Sequence, residues 1–136
     1  MRYMMFVAVD PAAEPFDPAA DNVGEWVADV EARGARVLGE RLRPVEDATL
    51  VRVRGGELLV TDGPFTESKE WIAGFDILDC RDLDEAIEIA GRHPMARFGR
   101  IELRPFWPFD VNEDPLERED REASGRGLRT EPVVGA

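Results

Sequence analysis

Two segments with helical hydrophobic spacing alternate with strand-like segments, and this alternation limits the fold more than any other feature of the sequence. The apolar residues of the two helical segments are Val23, Trp26, Val27 and Val30 in the first, and Leu83, Ala86, Ile87 and Ala90 in the second. This spacing places each set on one side of a helix. Asp21 or Asn22 is a suitable N-cap for the first helix, and Asp82 with Glu85 forms a capping box for the second.

Continuous or alternating apolar segments predict the strands. They run over Tyr3 to Val9, Arg36 to Leu42, Ala48 to Arg54, Glu57 to Thr61, Trp71 to Asp79 and Gly99 to Pro105. Gly55 and Gly56 supply the two positive-φ positions of a tight turn, so the third and fourth strands form a hairpin. The predicted order is β, α, β, a hairpin, β, α, β.

This order predicts an α+β fold, a ferredoxin-like sandwich in which two helices cover one face of an antiparallel sheet and the hairpin is an addition. Apolar strand residues would then occupy both faces of the sheet. Examples are Phe6, Leu38, Phe75, Ile77 and Leu103. A monomer rarely exposes so much apolar surface, so we expect a homodimer in which a second copy covers the face without helices.

Charge and hydropathy divide the 136 residues into a domain at 1–108 and an acidic, flexible tail at 109–136, where apolar residues are too few to form a core. The net charge of −12 would repel a phosphate backbone, so we expect no nucleic-acid partner. No apolar run reaches the about 18 residues of a membrane span. The N-terminus does not resemble a signal peptide, and Cys80 is the only cysteine. We therefore expect a cytoplasmic protein with no disulfide.

The segment Thr61 to Glu70, TDGPFTESKE, contains the residues most suited to chemistry. A structural corner explains it in part, because Gly63 favours an unusual backbone conformation and Pro64 an extended one. Lys69, however, is the only lysine beside 16 arginines, and a lysine has a more adjustable pKa. The hypothesis is therefore a site with Asp62 and Lys69 as catalytic residues. Its predicted substrate-binding residues are Phe65, Glu67, Trp26 and Trp71.

Other reactive side chains have simpler interpretations. His93 follows the second helix, where the helix dipole favours an imidazolium ion. The sequence has no second histidine and no cluster that would bind a metal, so we expect no metal and no cofactor. Cys80 has no neighbouring base to activate it. Trp26, on the apolar stripe of its helix, is also a candidate for the core.

The motif Thr61 to Glu70, followed by Ala73-Gly74-Phe75, resembles the YCII-related family and specifically its DGPF branch. Leu83-Asp84-Glu85-Ala86 and Gly99 to Pro105 match the same pattern. The resemblance covers Arg2 to Phe106 and implies a dimeric α/β-barrel. Some relatives are cofactor-free enzymes with a proposed His/Asp pair, and some genes of this branch lie beside bacterial sigma-factor genes. The segment Asn22 to Arg33 contains no histidine, so the His/Asp pair cannot be transferred.

Two functions of different classes remain, beside a third possibility, a structural dimer that has lost its chemistry, as the absence of a histidine from the first helix would allow. The first is a dimeric, cofactor-free enzyme or binding protein that acts on a small organic acid by proton transfer or elimination. The second is a regulatory or interaction module with a transcription-related protein partner, as the sigma-factor genes imply. An acidic surface that attracts a basic protein patch is compatible with this alternative.

Overall fold

The computed structural model describes residues 1–63 and 71–108, and this part of the chain has an α+β fold. The strands are β1 (Arg2–Ala8), β2 (Arg36–Arg41), β3 (Thr49–Arg54), β4 (Glu57–Asp62), β5 (Ile72–Asp79) and β6 (Arg100–Pro105). The helices are α1 (Val23–Ala32), α2 (Leu83–Arg92) and the short α3 (Met95–Phe98). All six predicted strands and both predicted helices are confirmed, with ends that differ by one or two residues. The predicted tail lies outside the described residues.

The strands form two separate antiparallel sheets. The larger one has four strands in the order β2-β5-β1-β6, and the smaller one is the β3-β4 hairpin. The hairpin turn is confirmed, since Gly55 and Gly56 have φ values of 59° and 79°. The described strands do not close into a barrel, because β2 and β6 are the edges of the four-stranded sheet.

One face of the four-stranded sheet packs on the helices. Tyr3, Met5 and Val7 of β1 share the hydrophobic core with Leu78 and with side chains from both long helices. The helical core residues are Trp26 and Val30 of α1, and Ala86, Ile89 and Ala90 of α2. The helices therefore lie on the same side of the sheet, as predicted. The expected stripe of α2 was partly wrong, because Ile89 is fully buried whereas Ile87 is only half-buried.

The helix caps differ in detail from the predicted ones. Asp82 accepts a hydrogen bond from the N–H of Glu85, as in a capping box, but the Glu85 carboxylate accepts from Arg81 N instead of Asp82 N. Before α1, the Asn22 side chain makes no cap bond, and the neighbouring Asp21 carboxylate accepts from Val23 N at 3.2 Å. Gly34, with φ of 68°, follows α1 as expected for its C-terminal turn.

A chain of ionic contacts joins α1 to the two strands below it. Arg36 binds Asp76 through Nε at 2.9 Å and Glu31 through Nη1 at 2.9 Å. Burial raises the pKa of Asp76, and the hydrogen bond and charge of Arg36 oppose that shift. A β-bulge between Arg36 and Leu38 turns Arg36 towards the helices while Leu38 stays on the other face.

Gly39 provides the space for this ion pair. It lies opposite Asp76 in the β2-β5 ladder, and a Cβ atom at this position would overlap Asp76 Oδ1 and Arg36 Nη2. Asp76 is short and buried, so its carboxylate has little room to move aside. The absence of a side chain at residue 39 is therefore required by a charged contact.

The far face of the four-stranded sheet is the side away from the helices. Cross-strand pairing places five apolar side chains there, and we define the far face by them: Met4, Phe6, Leu38, Phe75 and Ile77. Leu38 is 48% exposed and the other four are half-buried. Glu102 and Arg104 of β6 flank them. Leu103, in contrast, pairs with Met5 on the helix side. The predicted apolar face therefore exists.

Replacing Gly39 by Ala is expected to lower the free energy of unfolding by about 1–3 kcal/mol, because the new methyl group overpacks the Arg36–Asp76 pair. Urea denaturation measures this change. The control is Gly24→Ala in α1, where the Cβ atom meets open space and a gain of up to about 1 kcal/mol is expected. Equal stability of the two variants would show that the ion pair does not need the space at Gly39.

Candidate functional site

The β3-β4 hairpin carries an unusually exposed apolar surface. The register pairs Thr49 with Asp62, Val51 with Val60, and Val53 with Leu58, so these six side chains share one face. We define them as the outer hairpin face. Its four aliphatic members, Val51, Val53, Leu58 and Val60, are 60–67% exposed. The opposite face is different, since Leu50, Arg52 and Leu59 are half-buried.

Asp62 ends this apolar surface. Asp62 is exposed and is paired with Thr49, also exposed, across the two strands. The chain then turns at Gly63, which has φ of 88° and donates its N–H to Ala48 O at 2.7 Å. A side chain at Gly63 would be strained at this φ value. A strip of aliphatic side chains thus terminates in a carboxylate and a hydroxyl group.

The other predicted site residues fall into two groups. Phe65, Glu67 and Lys69 lie outside the described residues. Trp71 is half-buried just before β5, and its carbonyl oxygen accepts from Val9 N at 2.8 Å. The position of these residues relative to Asp62 remains a prediction.

Trp26 belongs to the core between the helices and the sheet. It is 4% exposed, and its indole Nε1–H donates to Ile89 O at 2.8 Å. The polar atom of this side chain is therefore already bound within the core. The structure thus places Trp26 and Asp62 in different parts of the fold, and this favours the core interpretation of Trp26.

His93 lies in the same core and differs from its expected state. Its Nδ1 accepts the N–H of Met95 at 3.0 Å, and its ring packs edge-to-face on Trp26 at 4.7 Å. Burial lowers the pKa of His93 to about 4, and the charge of Asp21 opposes this shift only in part. His93 is therefore neutral near pH 7. The expected imidazolium at the end of α2 was wrong because burial disfavours the charged form of the ring.

Cys80 and the acidic side chains offer no alternative centre in the described ranges. Burial raises the pKa of the Cys80 thiol to about 11, and the Glu85 charge adds to this shift, so the thiol stays protonated. Across residues 1–63 and 71–108, no three His, Cys, Asp or Glu side chains are arranged to hold a metal ion. None of the described helices has the length and apolar character needed to cross a membrane.

Sequence reasoning named Asp62 as a candidate, and this remains a prediction, but it did not place the apolar side chains around it. Counting outward from the Gly55-Gly56 turn pairs Thr49 with Asp62 and places the four aliphatic residues beside them, so the signal was present in the sequence. The Arg36–Asp76 contact was also missed. It had no such signal, because it depends on a bulge and on the packing of α1.

The described residues define a class of protein. They form an α+β chain with two helices on one face of an antiparallel sheet, an additional hairpin, and an apolar surface that ends at the DG bend. The family model of the YCII-related domain matches residues 1–110, which is most of the chain. The chain belongs to the YCII-related family.

A curated relative from Rhizobium meliloti (strain 1021) is described as an uncharacterised protein. It is 40% identical over 77 residues, which cover 55% of this chain and 62% of the relative. The match thus spans less than two thirds of either protein. The relationship supports the family assignment and supplies no activity.

Acid is expected to destabilise the protein through His93. In the unfolded chain His93 has its ordinary pKa of 6.5, whereas in the folded chain its pKa is about 4. The unfolded state therefore binds more protons in this window, so up to about 3 kcal/mol of stability present above pH 6.5 is lost as the pH falls towards 4. Urea denaturation at several pH values measures this slope.

The matched variant is His93→Asn, whose side-chain oxygen can replace Nδ1 as the acceptor for Met95 N. It is expected to be less stable at pH 7 but to show a flatter pH dependence. Glu88, whose hydrogen bond to Arg33 lowers its pKa, loses its stabilising effect only as the pH falls below about its ordinary pKa of 4.5, and this loss is common to both proteins. The same slope in both proteins between pH 6.5 and 5 would contradict the assignment to His93.

Proposed function

We propose that the protein is a homodimer that binds a small organic acid at Asp62 and Lys69, and that it acts on the ligand by proton transfer without a cofactor. The observation that carries this proposal is the outer hairpin face, where exposed aliphatic side chains lead directly to the Asp62 carboxylate. Ligand sites typically combine an apolar wall with a few polar groups that orient the ligand. The outer hairpin face provides both elements.

The proposed chemistry assigns one role to each charged residue. The Asp62 carboxylate would accept the proton from a carbon next to the ligand's carbonyl or carboxyl group. The Lys69 ammonium group would stabilise the negative oxygen that develops, through a charge-assisted hydrogen bond. Return of the proton, or loss of a leaving group from the adjacent carbon, would complete the reaction. Phe65, Glu67 and Trp71 are the proposed ligand contacts.

The proposal includes finer assignments of the fold, the family branch, the dimer form and the cellular compartment. The strand order β2-β5-β1-β6 is the order expected of a ferredoxin-like sheet, and we assign that arrangement to the domain. The motif around Asp62 and Gly63 favours the DGPF branch of the family. The half-exposed far face favours the dimeric α/β-barrel form, and the lone Cys80 favours the cytoplasm.

A second candidate function uses the same surface. The exposed outer hairpin face is also suited to docking another protein, and the net charge of −12 favours a basic partner. A role in sigma-factor-dependent transcription belongs to this alternative. It differs from the first proposal because it needs neither Lys69 nor a bound acid.

A thermal-shift experiment with benzoate and 2-hydroxybenzoate tests the proposed site. Ligand at about 100 times its Kd should add about 2.7 kcal/mol of stability and raise the Tm of the wild type by several degrees. Lys69→Ala is expected to abolish the shift, because it removes the cation that binds the carboxylate. Asp62→Asn should keep the ligand-free Tm of the wild type.

The matched control is Asp47→Asn, another exposed carboxylate, which pairs with Arg43 at 3.0 Å. Its ligand response should equal that of the wild type. If Asp62→Asn lowers the ligand-free Tm and no acid shifts the wild type, the motif is a structural corner and the proposed site is wrong.

A further inference from the structure

The loop between β1 and α1 is acidic and largely irregular. We define residues 10–21 of this loop as the strap. Their sequence is DPAAEPFDPAAD, with four acids and no base. Three prolines limit regular structure, and the strap has a single short 3-10 helix, at Pro18–Ala20. Its position on the protein therefore depends on contacts with other segments.

The strap lies against a segment of the opposite charge. We define residues 94–100, with the sequence PMARFGR, as the basic segment, since it has two arginines and no acid. It includes α3 and the first residue of β6. In a chain with a net charge of −12, such a segment attracts acidic groups.

Three acids of the strap face the two arginines. The Glu14 carboxylate accepts a hydrogen bond from Arg97 Nε, and Asp10 Oδ2 lies 3.6 Å from Arg100 Nε. The hydrogen bond and charge of Glu14 raise the pKa of Arg97, and the charge of Asp17 adds to this shift. The charges of the strap and of the basic segment are therefore complementary along their length.

An aromatic contact accompanies these ion pairs. The ring of Phe16 packs edge-to-face on that of Phe98 at 5.5 Å, and the Arg97 guanidinium lies over the same Phe98 ring at 5.0 Å. Phe98 is 7% exposed, whereas Phe16 is 55% exposed. Phe16 thus helps to cover Phe98, while more than half of its own side chain stays in water.

The strap is held on the basic segment by side chains. In the described part of the chain, backbone N–H groups of the strap bind only oxygens of the strap itself, as Ala13 N does with Asp10 O. The side chains of Glu14 and Arg97 are 58% and 62% exposed, and water and salt weaken such ion pairs. Release of the strap therefore breaks no backbone hydrogen bond to the core.

The backbone at Pro15 presents Glu14 and Phe16 together. A residue before proline is restricted to extended conformations, and side chains two residues apart in an extended segment point the same way. The carboxylate of Glu14 binds Arg97, and the ring two residues later packs on Phe98. The strap therefore occupies the basic segment as an acidic peptide with an aromatic residue would.

We infer that the basic segment is a docking site for an acidic peptide segment with an aromatic residue, and that the strap blocks this site from within the chain. The partner's carboxylate pairs with Arg97 in place of Glu14. Its aromatic ring packs on Phe98 in place of Phe16. The site is formed by α3 and β6, so the inference does not depend on the ligand site proposed at Asp62.

A peptide added to the protein tests both parts of this inference. The probe is residues 10–21 as a separate peptide blocked at both ends, and an NMR titration of isotope-labelled protein measures its Kd. In the wild type the tethered strap competes with the peptide. Glu14→Gln combined with Phe16→Ala removes both strap contacts, so this double variant should bind the peptide about 10-fold more tightly or better.

Single substitutions serve as the milder variant and the controls. Glu14→Gln alone leaves Phe16 on Phe98, so it should bind the peptide about two- to five-fold more tightly than the wild type. This variant also provides the comparison if the double variant does not fold. Arg97→Ala, added to either variant, should abolish the gain. Arg104→Ala, an exposed arginine of β6 near Glu102, should leave it unchanged.

The outcomes decide whether the strap blocks a peptide site. Tighter binding by the released variants, with shift changes at residues 94–100 and loss on Arg97→Ala, would support the inference. Equal affinity of the wild type and the released variants would overturn it. It would also be overturned by shift changes centred on β3 and β4, or by equal binding of a peptide that carries the same two substitutions. Competition by inorganic phosphate at the peptide's own concentration would assign the segment to small anions and contradict peptide docking.

Discussion

An antiparallel sheet with apolar side chains on both faces needs cover on both, and the helices of this chain cover only one. Tyr3, Met5 and Val7 are buried beneath α1 and α2, while Met4 and Phe6, which alternate with them, are only half-buried. Strand β1 thus contributes buried side chains to the core on one face of the sheet and half-buried side chains to the far face. Removal of apolar area from water is the main favourable term in folding and association, so this asymmetry is the physical basis of the proposed homodimer.

Charged residues inside the fold have structural roles, whereas the proposed chemistry belongs to an exposed edge. Asp76 is buried and binds Arg36, and Arg36 also binds Glu31 of α1. These contacts link α1 to the sheet, and Gly39 leaves the space that they need. The imidazole of His93 is neutral and serves as a hydrogen-bond acceptor within the core. Asp62, by contrast, is exposed beside an apolar strip, which is where a ligand or a partner can reach it.

Much of the fold could be predicted because it follows local rules. Periodicity located the long helices, and the two glycines at 55 and 56 located the hairpin. The bulge before Leu38, the short helix after Pro94 and the neutral state of His93 depend on packing between distant segments, which no local pattern encodes. Asp62 was predicted from its motif. Its apolar neighbours follow from the hairpin register, while Lys69 lies outside the described residues and stays a prediction.

Hydrogen exchange in the four-stranded sheet tests the central claim most directly, namely that a second copy covers the far face. Backbone amides of the edge strands β2 and β6 should exchange more slowly as the protein concentration rises through the monomer–dimer transition, because cover of the far face suppresses local opening of the sheet. Amides of α2, which is already packed in each chain, should change much less. Exchange in β2 and β6 that is independent of protein concentration, in a sample shown to change from monomer to dimer, would contradict the account.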